Sequence, residues 1–223
     1  MKQLPINPPK NNQISMTQEL LRKSIHVFSL SIPILYLWNT RSTMIWIFLP
    51  LTILLLILEF VRYYNPKFQT LIKKYFGGMM REHEFENGKL TGATFVIVSA
   101  LLCVLLFPKV IMIPAFAVLI ISDTCAALFG RRFGKHKFFN KSLEGSLAFV
   151  ISAWIVSIVT GYILNSPTEF YYAALVASVA AACAEAISWG VNIDDNFTIP
   201  ISYGSVLWGI LSLIKDSHVT SFL

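Results

Sequence analysis

The run 110-VIMIPAFAVLIISDTCAALFG-130, continued by 131-RRFGKHKF-138, decides what kind of molecule this is. It is apolar for the length that a helix needs to cross a hydrocarbon layer roughly 30 Å thick. One acid, Asp123, interrupts it, and Arg131, Arg132, Lys135, Lys137 and Lys141 crowd the exit. A cationic exit marks the cytoplasmic end of a membrane span. A carboxylate inside such a span costs a few kcal/mol or more. Asp123 is therefore a functional candidate, with a salt bridge to a basic residue of a neighbouring helix as the structural alternative. Ala126, Ala127, Gly130 and Gly134 continue the stripe that begins at Asp123, and small residues there let another helix or a ligand approach the backbone.

The rest of the chain repeats the pattern. Of its 223 residues 55% are hydrophobic and only 13% charged, about half the share usual in a soluble domain. Segments 24–40, 42–58, 90–108, 145–168 and 196–214 contain no Asp, Glu, Lys or Arg; 110–130 carries Asp123 and 170–193 carries Glu185. The expected fold is an all-α polytopic integral membrane protein of about seven transmembrane helices, with an interfacial amphipathic helix; because the first two segments are short, six spans with a peripheral first segment is the alternative. Its expected organisation is a cytoplasmic tail over 1–21, a membrane-embedded catalytic domain over 22–215 and a short tail over 216–223. The first twenty residues are polar and lack the apolar core of a signal peptide. Cys103, Cys125 and Cys183 lie in apolar runs without metal-ligand spacing and read as small hydrophobes.

Seven spans divide the 18 Lys and Arg residues 15 to 3. On one face fall Lys2, Lys10, Arg22 and Lys23 of the tail, Arg62, Lys67, Lys73, Lys74, Arg81 and Lys89 of the second-to-third loop, and the five cations after Asp123. Arg41, Lys109 and Lys215 fall on the other. The positive-inside rule makes the first face cytoplasmic and the carboxyl terminus external, in a cell inner membrane or endomembrane. Within the second-to-third loop, Asn65-Pro66 is a cap followed by proline at the first helical position. Phe68, Leu71, Ile72, Tyr75, Phe76, Met79 and Met80 recur at helical spacing after it, opposite Lys67, Lys73 and Lys74. This predicts a helix lying on the cytoplasmic leaflet, weakened at Gly77-Gly78 and serving as an anchor or a guide for lipid entry.

Three charged features share that face. The first is the stretch from Asp123 to Ser142. The second is Glu185, flanked by Ala181, Ala182 and Ser188, with Asp194, Asp195 and Asn196 beyond it. These acids could cap the last span, but oxygen ligands at a membrane boundary also suit Mg²⁺, which takes one or two protein carboxylates plus substrate phosphates. The third is Arg22, Lys23 and His26, with Arg22 and His26 one helical turn apart. Cations that cradle phosphates and carboxylates that hold a divalent ion are the requirements of phosphoryl transfer, with an acceptor drawn from the bilayer. The stretch 130-GRRFGK-135 is one residue short of a P-loop, and His136 stands where Ser or Thr should follow. That likeness is accidental.

These landmarks in order resemble the membrane-embedded CTP-dependent lipid kinases: dolichol and polyprenol kinases, phytol kinase and the yeast-type diacylglycerol kinase. The resemblance covers about residues 20–212. It rests on Arg22-Lys23 with His26, Glu59, Arg81-Glu82-His83-Glu84, Leu90-Thr91-Gly92-Ala93-Thr94, 122-SDTCAALFGRRFGKHKF-138, 141-KSLEGS-146, Glu185, and Asp194-Asp195-Asn196 with Ile199-Pro200. It implies transfer of the γ-phosphate of CTP to a lipid hydroxyl (polyprenol, dolichol, phytol or diacylglycerol), with Mg²⁺ or another divalent cation as cofactor and no nucleic-acid partner. It also implies the site residues. Asp123, Arg22, Lys23, His26 and Glu144 are the catalytic set; Asp123 would position or deprotonate the hydroxyl or share the metal. Gly130, Arg131, Arg132, Lys135, Lys137, Lys141 and Ser142 would bind nucleotide, and Glu185, Asp194, Asp195 and Asn196 the metal. Glu59, Arg81, Glu84, Thr91 and Gly92 complete the motif. The stretch from Asp123 to Gly145 also resembles phosphatidate cytidylyltransferases, but no arginine follows Arg132 and their spaced acids are missing. That alternative therefore stands second. A small transporter using Asp123 and Glu185 as ion sites stands third.

Overall fold

Capping residues cut the apolar runs into helices. In the computed structural model, which describes residues 23–24, 26–77, 80, 89–139, 141–188, 193–214 and 217–223, the helices are α1 (Ser31–Trp38), α2 (Arg41–Tyr64), α3 (Pro66–Phe76), α4 (Gly92–Leu106), α5 (Lys109–Phe133), α6 (Leu143–Ile163), α7 (Thr168–Ser188), α8 (Asp195–Leu213) and α9 (Ser217–Phe222). Thr40, Asn65, Thr91, Ser142 and Asp194 each precede a helix and accept a backbone N–H from its first turn. Side chains with an oxygen near the backbone satisfy donors that the helix itself leaves without a partner. Four helices, α2, α5, α6 and α7, are long and apolar enough to cross a membrane, and His26–Trp38 and Gly92–Leu106 are shorter apolar helices.

Helix α5 is the hub, buried without a break from Ile111 to Ile120. It packs most extensively on α6, and α8 and α1 also lie against it. Its contact with α6 depends on missing side chains. A Cβ on Gly130 would stand 2.9 Å from Ser142 Oγ, and one on Gly145 would stand 3.0 Å from the Ala126 carbonyl and 3.1 Å from Gly130 Cα. The small-residue stripe below Asp123 thus carries a close helix crossing. By contrast α2 turns Trp46, Leu54, Ile57 and Phe60 outward, as a helix bathed in hydrocarbon does.

Two features depart from the sequence reading. The second span runs on from 58 to Tyr64, which takes Glu59 and Arg62 into the helix and buries both. The chain is also not wholly helical. Lys137–Phe138 and Lys141–Ser142 pair antiparallel in a hairpin, Lys137 opposite Ser142, with Phe139 in the left-handed region at φ 48°. Strands of two residues are too short for alternation to betray them.

Candidate functional site

Asp123 lies on α5 14 residues beyond Lys109, roughly 21 Å along the axis at 1.5 Å per residue. Its carboxylate is paired with the Lys23 ammonium, which also donates to the Asp123 carbonyl at 3.3 Å. His26 Nε2 stands 3.5 Å from Asp123 Oδ2. From the other side comes Lys141 on the hairpin, with Nζ 2.5 Å from Glu185 Oε1 of α7 and 3.8 Å from Asp195 Oδ2 at the start of α8. Lys141 and Asp123 also interact electrostatically. The close α5–α6 crossing makes this possible, because it folds the hairpin back over the bundle. Burial alone would depress the Lys141 ammonium, but Glu185, Asp195 and Asp123 outweigh it and hold it above the ordinary lysine value.

Lys23, Asp123, Glu185 and Asp195 are each less than one-tenth exposed. Burying an ion costs several kcal/mol even after relaxation, so gathering four of them needs a reason. The set is also unbalanced: three carboxylates face two ammonium groups, and Glu185 Oε2 is buried without a hydrogen bond.

A second polar group lies where α2 meets α4. Glu59 Oε1 accepts from Thr91 N–H at 2.9 Å, Thr91 Oγ1 at 2.7 Å and Thr94 Oγ1 at 2.9 Å; Glu59 Oε2 pairs with Arg62 at 2.6 Å. Arg62 in turn donates to the Lys89 carbonyl at 2.5 Å. A carboxylate at a helix N-terminus meets the positive end of its dipole. The group therefore clasps the start of α4 to α2.

Between the two groups opens a cavity of about 490 Å³. Lys23, His26, Asp123, Asp195 and Asn196 line one part of it, Glu59, Arg62, Thr91 and Gly92 another. Leu55, Leu58, Val96, Ile97 and the α3 stripe Phe68, Ile72 and Phe76 supply apolar wall. The amphipathic helix is where the sequence put it, with Asn65 Oδ1 capping Lys67 and Phe68. Leu71 and Tyr75 of its expected apolar face are exposed.

The remaining predicted residues divide plainly. Arg131, Arg132, Lys135 and Lys137 are exposed around the hairpin, whereas Lys141 reaches the buried cluster. Gly130 and Ser142 form the crossing. Glu144 accepts from the Lys135 and His136 amides at 3.0 and 3.3 Å and pairs with His136 Nδ1 at 2.8 Å, so it braces the basic loop. Asp194 Oδ1 accepts from the Asn196 backbone at 2.9 Å and its side chain at 2.7 Å, which makes it the cap of α8. Arg22, Arg81 and Glu84 lie outside the described residues. In sequence Arg62 and Thr94 carry no site role, Arg62 reading as a loop cation and Thr94 as the end of the 90–94 motif; the spacing of Arg62 three residues after Glu59 is the available signal. Among the described residues no three His, Cys, Asp or Glu side chains gather closely enough to hold a metal unaided.

Fold and site together place a cluster of buried ions beside a partly apolar cavity, in a chain with four helices long and apolar enough to cross a membrane. The chain is 32% identical over 187 residues to an uncharacterized protein of Rickettsia prowazekii, covering 83% of this chain and 91% of that one. It is 30% identical to CTP-dependent diacylglycerol kinase 1 of Saccharomyces cerevisiae over 88% of this chain and 75% of the yeast protein. A shorter region, 39% of the chain and 38% of its relative, is 33% identical to phytol kinase of Synechocystis. The chain belongs to the CTP-dependent lipid kinase family. No family model and no solved structure matches it.

Proposed function

We propose that this protein transfers the γ-phosphate of CTP to the hydroxyl of a membrane lipid alcohol such as diacylglycerol, phytol or a polyprenol. The observation that carries the reading is the cavity, which runs from the ions around Asp123 to the apolar face of α3. A lipid lying there would keep its chains against Phe68, Ile72 and Phe76 and offer its hydroxyl to Asp123 and His26. The exposed Arg131, Lys135 and Lys137 would receive the triphosphate, and Lys141 would move from the acids to the phosphates as they arrive. Phosphoryl transfer demands little of a protein beyond this positioning and neutralisation.

The residues fit a divalent ion that arrives with the nucleotide. Glu185 and Asp195, with one excess negative charge in the cluster and Glu185 Oε2 buried without a hydrogen bond, match an ion held by one or two carboxylates and phosphate oxygens. When bound, Mg²⁺ would neutralise charge on the β- and γ-phosphates.

The reading is tested by incubating purified protein with labelled CTP or ATP and a panel of lipid alcohols; label must appear in a lipid phosphate, and CTP must be the better donor. The accompanying topology is seven spans with the amino terminus and the catalytic loops cytoplasmic. In intact cells, cysteines placed at Ser15 and Ser221 should then react with an impermeant label only at the latter.

A further inference from the structure

The acceptor hydroxyl needs somewhere to leave its proton, and Asp123 is poorly placed to take it. Its Oδ2 is already paired with the Lys23 ammonium, and a carboxylate so neutralised has little pull on an alcohol proton. His26 is different. Its Nε2 is buried with no hydrogen-bond partner, and the Leu119 backbone acts on the imidazole electrostatically. In the neutral imidazole that carries its proton on Nδ1, the lone pair sits on Nε2. That nitrogen lies 3.5 Å from Asp123 Oδ2, beyond hydrogen-bond distance, and the His26 side chain is 10% exposed and lines the cavity. With the proton on Nδ1, Nε2 and Asp123 Oδ2 are two acceptors side by side, a receptor for a donor.

Resting on the kinase reading, we propose that His26 Nε2 is the general base and that, with Asp123 Oδ2, it marks the seat of the lipid hydroxyl. The hydroxyl oxygen attacks the γ-phosphorus, forming the new P–O bond. The bond from that phosphorus to the β–γ bridging oxygen breaks, with its electron pair leaving on the nucleoside diphosphate. The hydroxyl proton passes to Nε2, and Asp123 stabilises the resulting imidazolium.

The test is His26→Asn, whose amide keeps a polar side chain at this position and removes the base. Turnover should fall about 100-fold or more, with KM for CTP and for lipid within about threefold of wild type, the range expected when binding is intact. Two readouts separate base from scaffold. Free imidazole should restore part of the rate. The deficit should also shrink on a lipid alcohol carrying fluorine beside the carbinol carbon, because a more acidic hydroxyl needs less help. His26→Gln undergoes the same comparisons if the Asn variant does not purify. Wild-type turnover in either variant, or a deficit equal on both alcohols and indifferent to imidazole, overturns the proposal. Absence of transfer by the wild-type protein to any lipid alcohol would end the kinase reading first, so the two failures are distinguishable.

Discussion

Lys109 and Lys141 mark opposite ends of the same central packing, and their partners differ in kind. Lys109 donates to the Leu37 and Asn39 carbonyls at 2.8 and 3.1 Å and lies 5.4 Å from the Tyr36 ring. Nearby, Arg41 donates to the Leu105 carbonyl. Both cations satisfy carbonyls that α1 and α4 leave without partners at their carboxyl ends. Lys141 instead faces two buried carboxylates from two other helices. Carbonyls at a helix end must be satisfied in any fold, and doing so requires no ligand. Carboxylates drawn together inside a membrane protein repel each other and cost desolvation, and their grouping calls for another explanation. A cation that caps is structure; on the kinase reading proposed above, a cation that holds buried acids together keeps a site ready.

The most severe way to break this contrast is Asp123→Asn. The change keeps the side chain's size, removes the anion beside Lys23 and His26, and leaves the α5–α6 crossing untouched. Turnover with CTP and lipid alcohol should fall on the order of a thousandfold; loss of the buried carboxylate beside Lys23 should also lower the melting temperature, while membrane insertion stays normal. Near-normal turnover would reduce Asp123 to one half of a structural ion pair.

Lys141→Met should come next. Lost charge-assisted contacts to phosphate cost about 1.5–3 kcal/mol, or roughly ten- to a hundredfold in the use of CTP, with no recovery at high Mg²⁺. Lys135 and Lys137 are exposed, so neutralising either should cost less than losing Lys141, which alone of the three reaches the acids. Equal effects from all three would mean that the hairpin acts only as a diffuse positive surface.

The acids permit a finer comparison. Asp195 faces Lys141, whereas Asp194 caps α8 with the same oxygen that holds Asn196. Asn caps a helix as well as Asp does. Asp195→Asn should therefore raise the Mg²⁺ needed for half-maximal rate, and Asp194→Asn should leave it near the wild-type value. Titrating Mg²⁺ at fixed CTP checks both; a larger shift for Asp194→Asn would reassign the metal ligand.

Much of this was legible in the chain. Asp123 and Glu185 stand out because charge is rare within apolar runs, and Asn65-Pro66 announces α3. Partners were not legible. Nothing in the spacing joins Lys23 and His26 to Asp123, or Lys141 to Glu185, because helix packing creates those contacts. Glu144 shows that motif order and contacts can point to different roles. Motif order placed it among the catalytic residues, yet its oxygens are occupied by the Lys135 and His136 amides. Composition ends the span at the apolar run before Glu59 and leaves Arg62 among the loop cations, although the helix continues for another turn and pairs the two.

The smallest effect belongs to Lys109, and it tests the contrast from the structural side. Lys109→Met keeps a long apolar stem over Tyr36 and removes the donor to the Leu37 and Asn39 carbonyls. Leaving such groups unsatisfied costs about 1–3 kcal/mol, so the variant should melt earlier than wild type. Its distance from Asp123 along α5 makes direct electrostatic influence on the cluster weak, so kcat and KM for CTP should stay within about twofold, the scatter expected where no transition-state contact is lost. Melting and steady-state kinetics on one preparation check both expectations. A kinetic loss as deep as that of Lys141→Met, at unchanged stability, would show that the two ends of α5 are functionally joined. The division between capping cations and site cations would then fail.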